Sequence, residues 1–377
     1  MNSKKRILIF HFDLQGGGAE KVLVNLLRNL DYNKYDVTLQ TVFGVGVNKK
    51  DLPPEVHFKC IFKKIFNGVT RLMRLLSPTL LHRLVVRENY DLEVAFLESS
   101  PTRIVSGCRN KATRTVAWVH TTFSDLNARL VSYRSHEEAV KCYNQFDKVV
   151  FVSRQTLEVF KDKMPGVTTD MTVIHNVNDM DAIYDKAGEP CPIDLPDDCI
   201  NIVAIGRLIP VKGFDRLINA AKKLKDKDGV PRFNIHILGQ GAEHDNLARL
   251  ISDNCLEDTV HLLGFDSNPY KYISHMDLFV CSSHREGYST ATSEAVALGI
   301  PVLTTACSGM DEILEDGKYG LIVDNTDEAL YDGLERLVTT PAEVERYKTA
   351  LADKPRITTQ SLVDEYQKLF DTILSSY

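Results

Sequence analysis

Short runs rich in β-branched and aromatic residues recur along the first half of the chain, at residues 7–10, 37–43, 92–96, 115–119, 149–152 and 171–174. Helical patterns separate them. Between the first two runs, Ala19, Val22, Leu23, Leu26, Leu27 and Leu30 repeat at helical spacing, which predicts an amphipathic helix over 19–30. Strand, glycine loop and helix then form the first unit of a parallel sheet with helices on both faces. The rhythm restarts at residues 200–205, passes through a loop to Gly213, and enters a helix whose Leu217, Ile218, Ala221 and Leu224 share one face. Further strands are predicted at 233–238, 260–263, 278–281, 301–305 and 321–323.

Residues 187–198 carry Pro190, Pro192 and Pro196 among acidic residues, the composition of a linker. The predicted organisation is therefore a first domain over 1–186, a linker over 187–198, a second domain over 199–358, and a terminal segment, 359–377, whose helix returns to the first domain. Both domains are α/β, Rossmann-like and doubly wound, and are expected to face each other across a cleft. Ligands of such sheets bind outside the carboxyl ends of the strands.

Composition narrows this little. The 377 residues are 44% hydrophobic and 25% charged, with a net charge of −6, which gives no reason to expect a nucleic-acid partner. No run of about 18 apolar residues suggests a membrane span, and the start leads straight into a strand rather than a secretory leader, so a cytoplasmic location is expected. Eight cysteines without a CxxC pair read as small buried apolar residues rather than zinc ligands. The distribution of charge says more. Residues 59–87 hold Lys59, Lys63, Lys64, Arg71, Arg74, Arg83 and Arg87 with no acid, interleaved with Ile61, Phe62, Ile65, Phe66, Leu72, Met73, Leu75 and Leu76. Such a segment is suited to an anionic membrane surface, or else is a core-packed helix with a solvated basic edge.

The candidate chemistry lies at predicted strand ends. Glu286 and Glu294 are eight positions apart, across a loop and the first turns of a helix that Ser289 or Thr290 can cap. A helix start there offers N–H groups to an anion such as diphosphate, while the acids offer acceptors to sugar hydroxyls. Taken singly, Glu294 is also readable as a first-turn carboxylate favouring the helix dipole, and Glu286 as a loop surface charge. Arg207 and Lys212 follow the strand at 200–205. Arginine can fork two phosphate oxygens and lysine adds a compact charge, so the pair suits a leaving diphosphate, although solvated basic loops are common. Gly16, Gly17 and Gly18 either let backbone approach a ligand or form a plain flexible turn. His120 ends the strand at 115–119. Asp179 and Asp181 fit helix capping better than a metal site.

In order and spacing these segments resemble the retaining, nucleotide-sugar-dependent glycosyltransferases of the GT-B fold, sequence family four. The resemblance rests on Gly16-Gly-Gly-Ala-Glu20, Gly206-Arg207 to Lys212-Gly213, Leu238-Gly-Gln-Gly241, the Glu286 to Glu294 segment, Gly299-Ile-Pro-Val302, Gly309-Met-Asp-Glu312 and Gly317-Lys-Tyr-Gly320. It implies a metal-independent hexosyltransferase without a cofactor, the nucleotide sugar being a substrate. Arg207 and Lys212 are then expected to hold the donor diphosphate, Glu294 the ribose hydroxyls and Glu286 the transferred sugar. Gly287, Tyr288, Ser289 and Thr290 are expected to line the donor, with Gly17, Gly18 and His120 contributing from the first domain. The expected donor is a UDP-sugar, though the residues leave GDP open. The expected acceptor is a glycan or lipid-linked glycan of a surface polysaccharide, met in the cytoplasm or on the inner membrane face. A nucleotide-sugar epimerase or hydrolase on the same fold, and a noncatalytic nucleotide-sugar-binding partner of another transferase, are the alternatives.

Overall fold

The computed structural model describes residues 4–375. It divides into two compact units, residues 1–178 with 359–377, and residues 179–358.

The first unit carries strands β1 (Lys5–His11), β2 (Tyr35–Phe43), β3 (His57–Phe62), β4 (Leu92–Ala95), β5 (Arg114–Val119), β6 (Lys148–Phe151) and β7 (Met171–Val173). All pair in parallel, in the order β3-β2-β1-β4-β5-β6-β7. Order reverses between β1 and β4, so the loops leaving those two strands splay to opposite sides and open a crevice at their carboxyl ends. The helix Gly18–Asn29 follows β1 and buries Val22, Leu23, Leu26 and Leu27, as its spacing predicts. The edge strand β3 overlaps the start of the stretch read as a basic face. There Lys59 is tied to Glu88, while Ile61 and Phe62 pack against the core.

The second unit carries β8 (Ile200–Ile205), β9 (Phe233–Leu238), β10 (Val260–Gly264), β11 (Leu278–Cys281), β12 (Val302–Thr305) and β13 (Gly320–Val323). These are again all parallel, in the order β10-β9-β8-β11-β12-β13, reversing between β8 and β11. The central strands of each sheet are buried, which explains their apolar runs. Ile202, Ala204, Ile235, Ile237, Val280 and Leu303 are almost fully buried in the second core.

The division between units falls earlier than the proline content suggests. The helix Met180–Ala187 belongs to the second unit, because Asn268 Nδ2 donates to Lys186 O at 3.0 Å and Ser274 Oγ to Ala187 O at 3.0 Å. The Arg356 guanidinium also lies 3.7 Å over the Tyr184 ring. The predicted linker 187–198 thus starts on the helix's last residue and continues as a loop of the second unit rather than a bridge, and the boundary lies between Asn178 and Asp179. Asp179 caps that helix, accepting from Ala182 N at 3.2 Å. The terminal helix Thr359–Ser375 packs in the first unit, with Tyr366 stacked on Trp118 at 4.6 Å and its hydroxyl donating to His175 O. It thereby supports the end of β5, where His120 emerges. Of the eight cysteines, Cys142, Cys199, Cys281 and Cys307 are buried as expected, whereas Cys60, Cys108 and Cys191 are half-buried and Cys255 is exposed.

Candidate functional site

In the second unit, the loops leaving β8 and β11 meet at the strand-order reversal. Their backbones are stitched together. His284 N donates to Val211 O at 2.8 Å, and Ser282 Oγ to Lys212 O at 3.0 Å. Gly213 starts the helix Phe214–Lys225 at φ +61°, and a Cβ there would stand 2.3 Å from Ser282 O. Only glycine fits both the left-handed backbone and that approach. Gly239, at φ +153°, lies against Gly206 O, and Gly206 N and Leu208 N donate to Leu238 O and Gln240 O at 3.0 Å each. The Gly-Gln-Gly segment therefore clamps the turn that carries Arg207.

On this frame Lys212 Nζ reaches Glu286 Oε1 at 2.7 Å, and Ser283 Oγ donates to the same oxygen at 2.5 Å. Burial works against the lysine's charge, but Glu286 outweighs it and holds the ammonium pKa above its ordinary value. Cys281 Sγ also reaches Oε1, at 4.0 Å, whereas Glu286 Oε2 takes no partner among the described residues. Arg207 is exposed, and its guanidinium likewise takes no partner among them. Lys212 and Glu286 thus form one pair, and Arg207 a free cation beside the same turn.

Ser289 caps the helix Thr290–Ala297 by accepting from Thr292 N at 3.2 Å. The N–H groups of Thr290 and Ala291, at its first positions, have no carbonyl one turn back within the helix and suit an anion. Glu294 lies beyond the first turn and is 2% exposed, with Tyr270 Oη donating to its Oε1 at 3.4 Å. A first-turn dipole contact does not account for it. Gly309, at φ +80°, packs its turn on Gly287 and Tyr288.

Several supporting residues were not found by sequence reasoning. Arg216, 3% exposed, donates to Ser282 O at 2.6 Å, Ser283 O at 2.8 Å and Thr305 Oγ1 at 3.2 Å, and so fixes the loop after β11 from behind. Ser283 and Tyr270, which hold the two acids, were also missed. Ser283 lies only 3 positions from Glu286 and Tyr270 is 24 from Glu294, whereas Arg216 reaches its carbonyls through the β8–β11 adjacency, which no local spacing reveals.

In the first unit, none of Gly16, Gly17 and Gly18 is at positive φ. A Cβ on Gly17 would meet only the Glu20 carboxylate, the mobile end of a side chain, at 2.0 Å, so neither backbone strain nor close backbone packing demands glycine there. His120 is 7% exposed and lies 4.8 Å from the Phe96 ring. Its backbone N–H donates to buried Glu98 Oε2 at 3.1 Å, while neither ring nitrogen has a partner among the described residues. Glu98 also accepts from Thr121 and faces Arg129 at 3.6 Å. His11, likewise buried, bonds Asp13 O at 2.7 Å through Nδ1. Burial drives the His11 pKa down to about 4, and burial together with the charge of His11 drives His120 down to about 3. Both imidazoles are neutral near pH 7, so His120 is suited to hydrogen bonding rather than to donating a proton as an acid.

A stability prediction follows. Both folded pKa values lie below the unfolded value near 6.5, so the contribution is present above that pH and is lost as pH falls toward 4. Between pH 7 and 5 the first unit should lose on the order of 2–4 kcal/mol from these two groups. Calorimetric melting against pH checks this. His120→Gln should flatten the slope, and an unchanged slope would remove the assignment.

Among the described residues, one group has metal-ligand proximity. His82, Glu93 and Cys108 have ligand atoms within 4.8 Å of one another in the first unit. His82 Nε2 already pairs with Glu93 Oε2 at 2.7 Å, and none of the three belongs to the loops described above.

Comparison with known proteins accounts for both halves. Residues 192–352 match the family described as glycosyl transferases group 1, and residues 16–182 match glycosyltransferase family 4. The N-acetylgalactosamine-N,N'-diacetylbacillosaminyl-diphospho-undecaprenol 4-alpha-N-acetylgalactosaminyltransferase of Campylobacter jejuni is 28% identical over 364 residues, covering 91% of this chain and 93% of that one. Among solved structures, Anabaena HepE in complex with UDP aligns with a TM-score of 0.72 at 18% identity, over 97% of this chain and 100% of that one. Staphylococcus aureus TarM in complex with fondaparinux, alpha-GlcNAc-glycerol and UDP aligns with a TM-score of 0.71 at 15% identity, over 97% and 100%. At these identities the structures speak for the fold.

Proposed function

Because the chain belongs to the group 1 glycosyltransferases of family four, enzymes of the GT-B fold, we propose that it moves a sugar from a UDP-sugar to a lipid-linked or polysaccharide acceptor in surface glycan synthesis, with retention at the anomeric carbon. The observation that carries this reading is the Lys212–Glu286 pair at the strand-order reversal, with one carboxylate oxygen held and the other open. The acceptor class is supported by the C. jejuni relative, whose name specifies a diphospho-undecaprenol acceptor, and the carrier by the UDP in the HepE and TarM complexes.

On this reading Arg207 and Lys212 neutralise the leaving diphosphate, Glu294 takes the ribose hydroxyls, and Glu286 Oε2 takes a hydroxyl of the transferred sugar. Gly287 to Thr290 line the donor. As the bond from the anomeric carbon to phosphate breaks and the bond to the acceptor oxygen forms on the same face, the acceptor proton passes to the departing phosphate. The chain then supplies position and electrostatics. The family resemblance extends the donor site to Gly17, Gly18 and the neutral imidazole of His120. With two cations on the diphosphate the reaction requires no metal, and no cofactor beyond the nucleotide sugar. No helix among the described residues is long and apolar enough to cross a membrane. A cytoplasmic enzyme held peripherally by the basic, apolar stretch 59–87 fits a lipid-linked acceptor.

A mass-spectrometric panel of UDP- and GDP-sugars, scored for binding and for slow donor hydrolysis with chelator present, tests the reading. One UDP-sugar should be bound and slowly cleaved. Binding without turnover, in the presence of acceptor extract, would point to the noncatalytic partner instead. Binding of none would remove the donor site.

A further inference from the structure

The first unit carries a second cationic site, well separated in sequence from the donor loops. The short helix Val69–Arg74 is entered through Gly68 at φ +89° and buries Val69 and Met73. This leaves Leu72 55% and Leu75 74% exposed. The end of that helix is held with unusual completeness. Buried Arg103 donates to Met73 O at 3.0 Å and Leu76 O at 2.8 Å, while Arg134 donates through Nε to Arg74 O and through Nη2 to Leu75 O, at 2.7 Å each. Four successive carbonyls are thus satisfied by two guanidinium groups. Glu138 fixes both arginines, accepting from Arg103 Nη2 at 2.9 Å and from Arg134 N at 2.7 Å.

The result is an open cavity of about 480 Å³ lined by Arg71, Arg74, Leu75 and Arg134, with no acid among its lining residues. The Arg71 and Arg74 guanidinium groups take no partner among the described residues, and Arg134 Nη1 remains after its two carbonyl bonds. The guanidinium groups of Arg71 and Arg74, on the helix, and of Arg134, docked on its last carbonyls with Nε 3.9 Å from Glu138 Oε1, match the several oxygens of a phosphate or diphosphate. Exposed Leu75 in its lining, and exposed Leu72 next to Arg71 on the same helix, suit a hydrocarbon chain. A hydrophilic anion would leave those leucines unused.

We propose that Arg71, Arg74 and Arg134 seat the phosphate or diphosphate of the lipid-linked acceptor, and that Leu72 and Leu75 take the first part of its lipid chain. This rests on the lipid-linked acceptor proposed above. It assigns separate elements to the two diphosphates of the reaction: the loops after β8 and β11 to the donor, and the turn at 71–75 to the acceptor.

Farnesyl diphosphate serves as the probe, titrated into the full chain with UDP and GDP in excess to occupy the donor loops. Saturable binding is expected, weakened about ten-fold or more in the Arg71→Gln/Arg74→Gln double variant, as loss of charge-assisted contacts implies. Leu72→Ser/Leu75→Ser should weaken farnesyl diphosphate while leaving inorganic diphosphate unchanged. A wild-type melting temperature in each variant shows that the fold persists. Equal binding by the arginine variant would overturn the site. So would inorganic diphosphate that binds as tightly as farnesyl diphosphate, since the leucines would then take no part of the lipid chain. If the donor panel fails while this binding holds, the transferase reading falls and the lipid-phosphate site stands.

Discussion

Lys212→Ala lowers kcat/KM for sugar transfer by about 10²–10³-fold, the scale of removing a preorganised charge from a developing anion. Two losses combine in that variant. The leaving diphosphate loses its compact cation, and Glu286 Oε1 loses its charged partner and is held by Ser283 without it. Glu286→Ala should be comparably inactive for a different reason, the loss of the open oxygen offered to the sugar. The two differ in their binding of nucleotide alone: Lys212→Ala weakens UDP, whereas Glu286→Ala leaves it nearly intact because Glu286 is assigned to the sugar. Full transfer by both variants would remove the site assignment.

Arg216→Met has the largest expected effect on stability. The guanidinium is buried, and its replacement leaves Ser282 O, Ser283 O and Thr305 short of their donor. Thr305 Oγ1 and Cys307 Sγ still reach Ser283 O, at 2.7 and 3.2 Å, but Ser282 O loses its only side-chain donor among the described residues. A loss of about 3 kcal/mol is expected, the scale of unpairing buried polar groups with a charged partner. For a unit of this size that corresponds to a melting temperature lower by roughly 10 °C, read by calorimetry. Transfer should fall as well, because the loop released is the one that presents Glu286. A melting temperature within about 1 °C of wild type would mean that the loop is held elsewhere.

Much of this arrangement was legible in the sequence, for reasons specific to it. Buried parallel strands are continuous apolar runs, so β1, β8, β9 and β11 stood out, and strand-loop-helix punctuation put Arg207, Lys212 and Glu286 at strand ends. The strand β3 did not stand out. His57-Phe-Lys-Cys-Ile-Phe62 is an edge strand with polar and apolar residues mixed, and its Lys59 merged into the cationic stretch that follows. The unit boundary was misplaced because proline content marks a loop but does not say which body the loop packs on. The helix 180–187 is settled by its contacts to Asn268 and Ser274, more than eighty residues away. The same separation hid Arg216, whose carbonyl partners are 66 and 67 positions distant. Glycine spacing announced a motif at 238–241, but its work as a clamp on Gly206 and Leu208 became visible only with the β8–β9 pairing. His11 carried no signal beyond its place at the end of β1.

The central claim is that the loops after β8 and β11 hold a nucleotide diphosphate. Calorimetric titration of UDP into the wild-type chain and into Arg207→Ala/Lys212→Ala tests it most directly. The account predicts saturable binding by the wild type, weakened at least about ten-fold in the variant at an unchanged melting temperature. Equal affinity in the two proteins would contradict it.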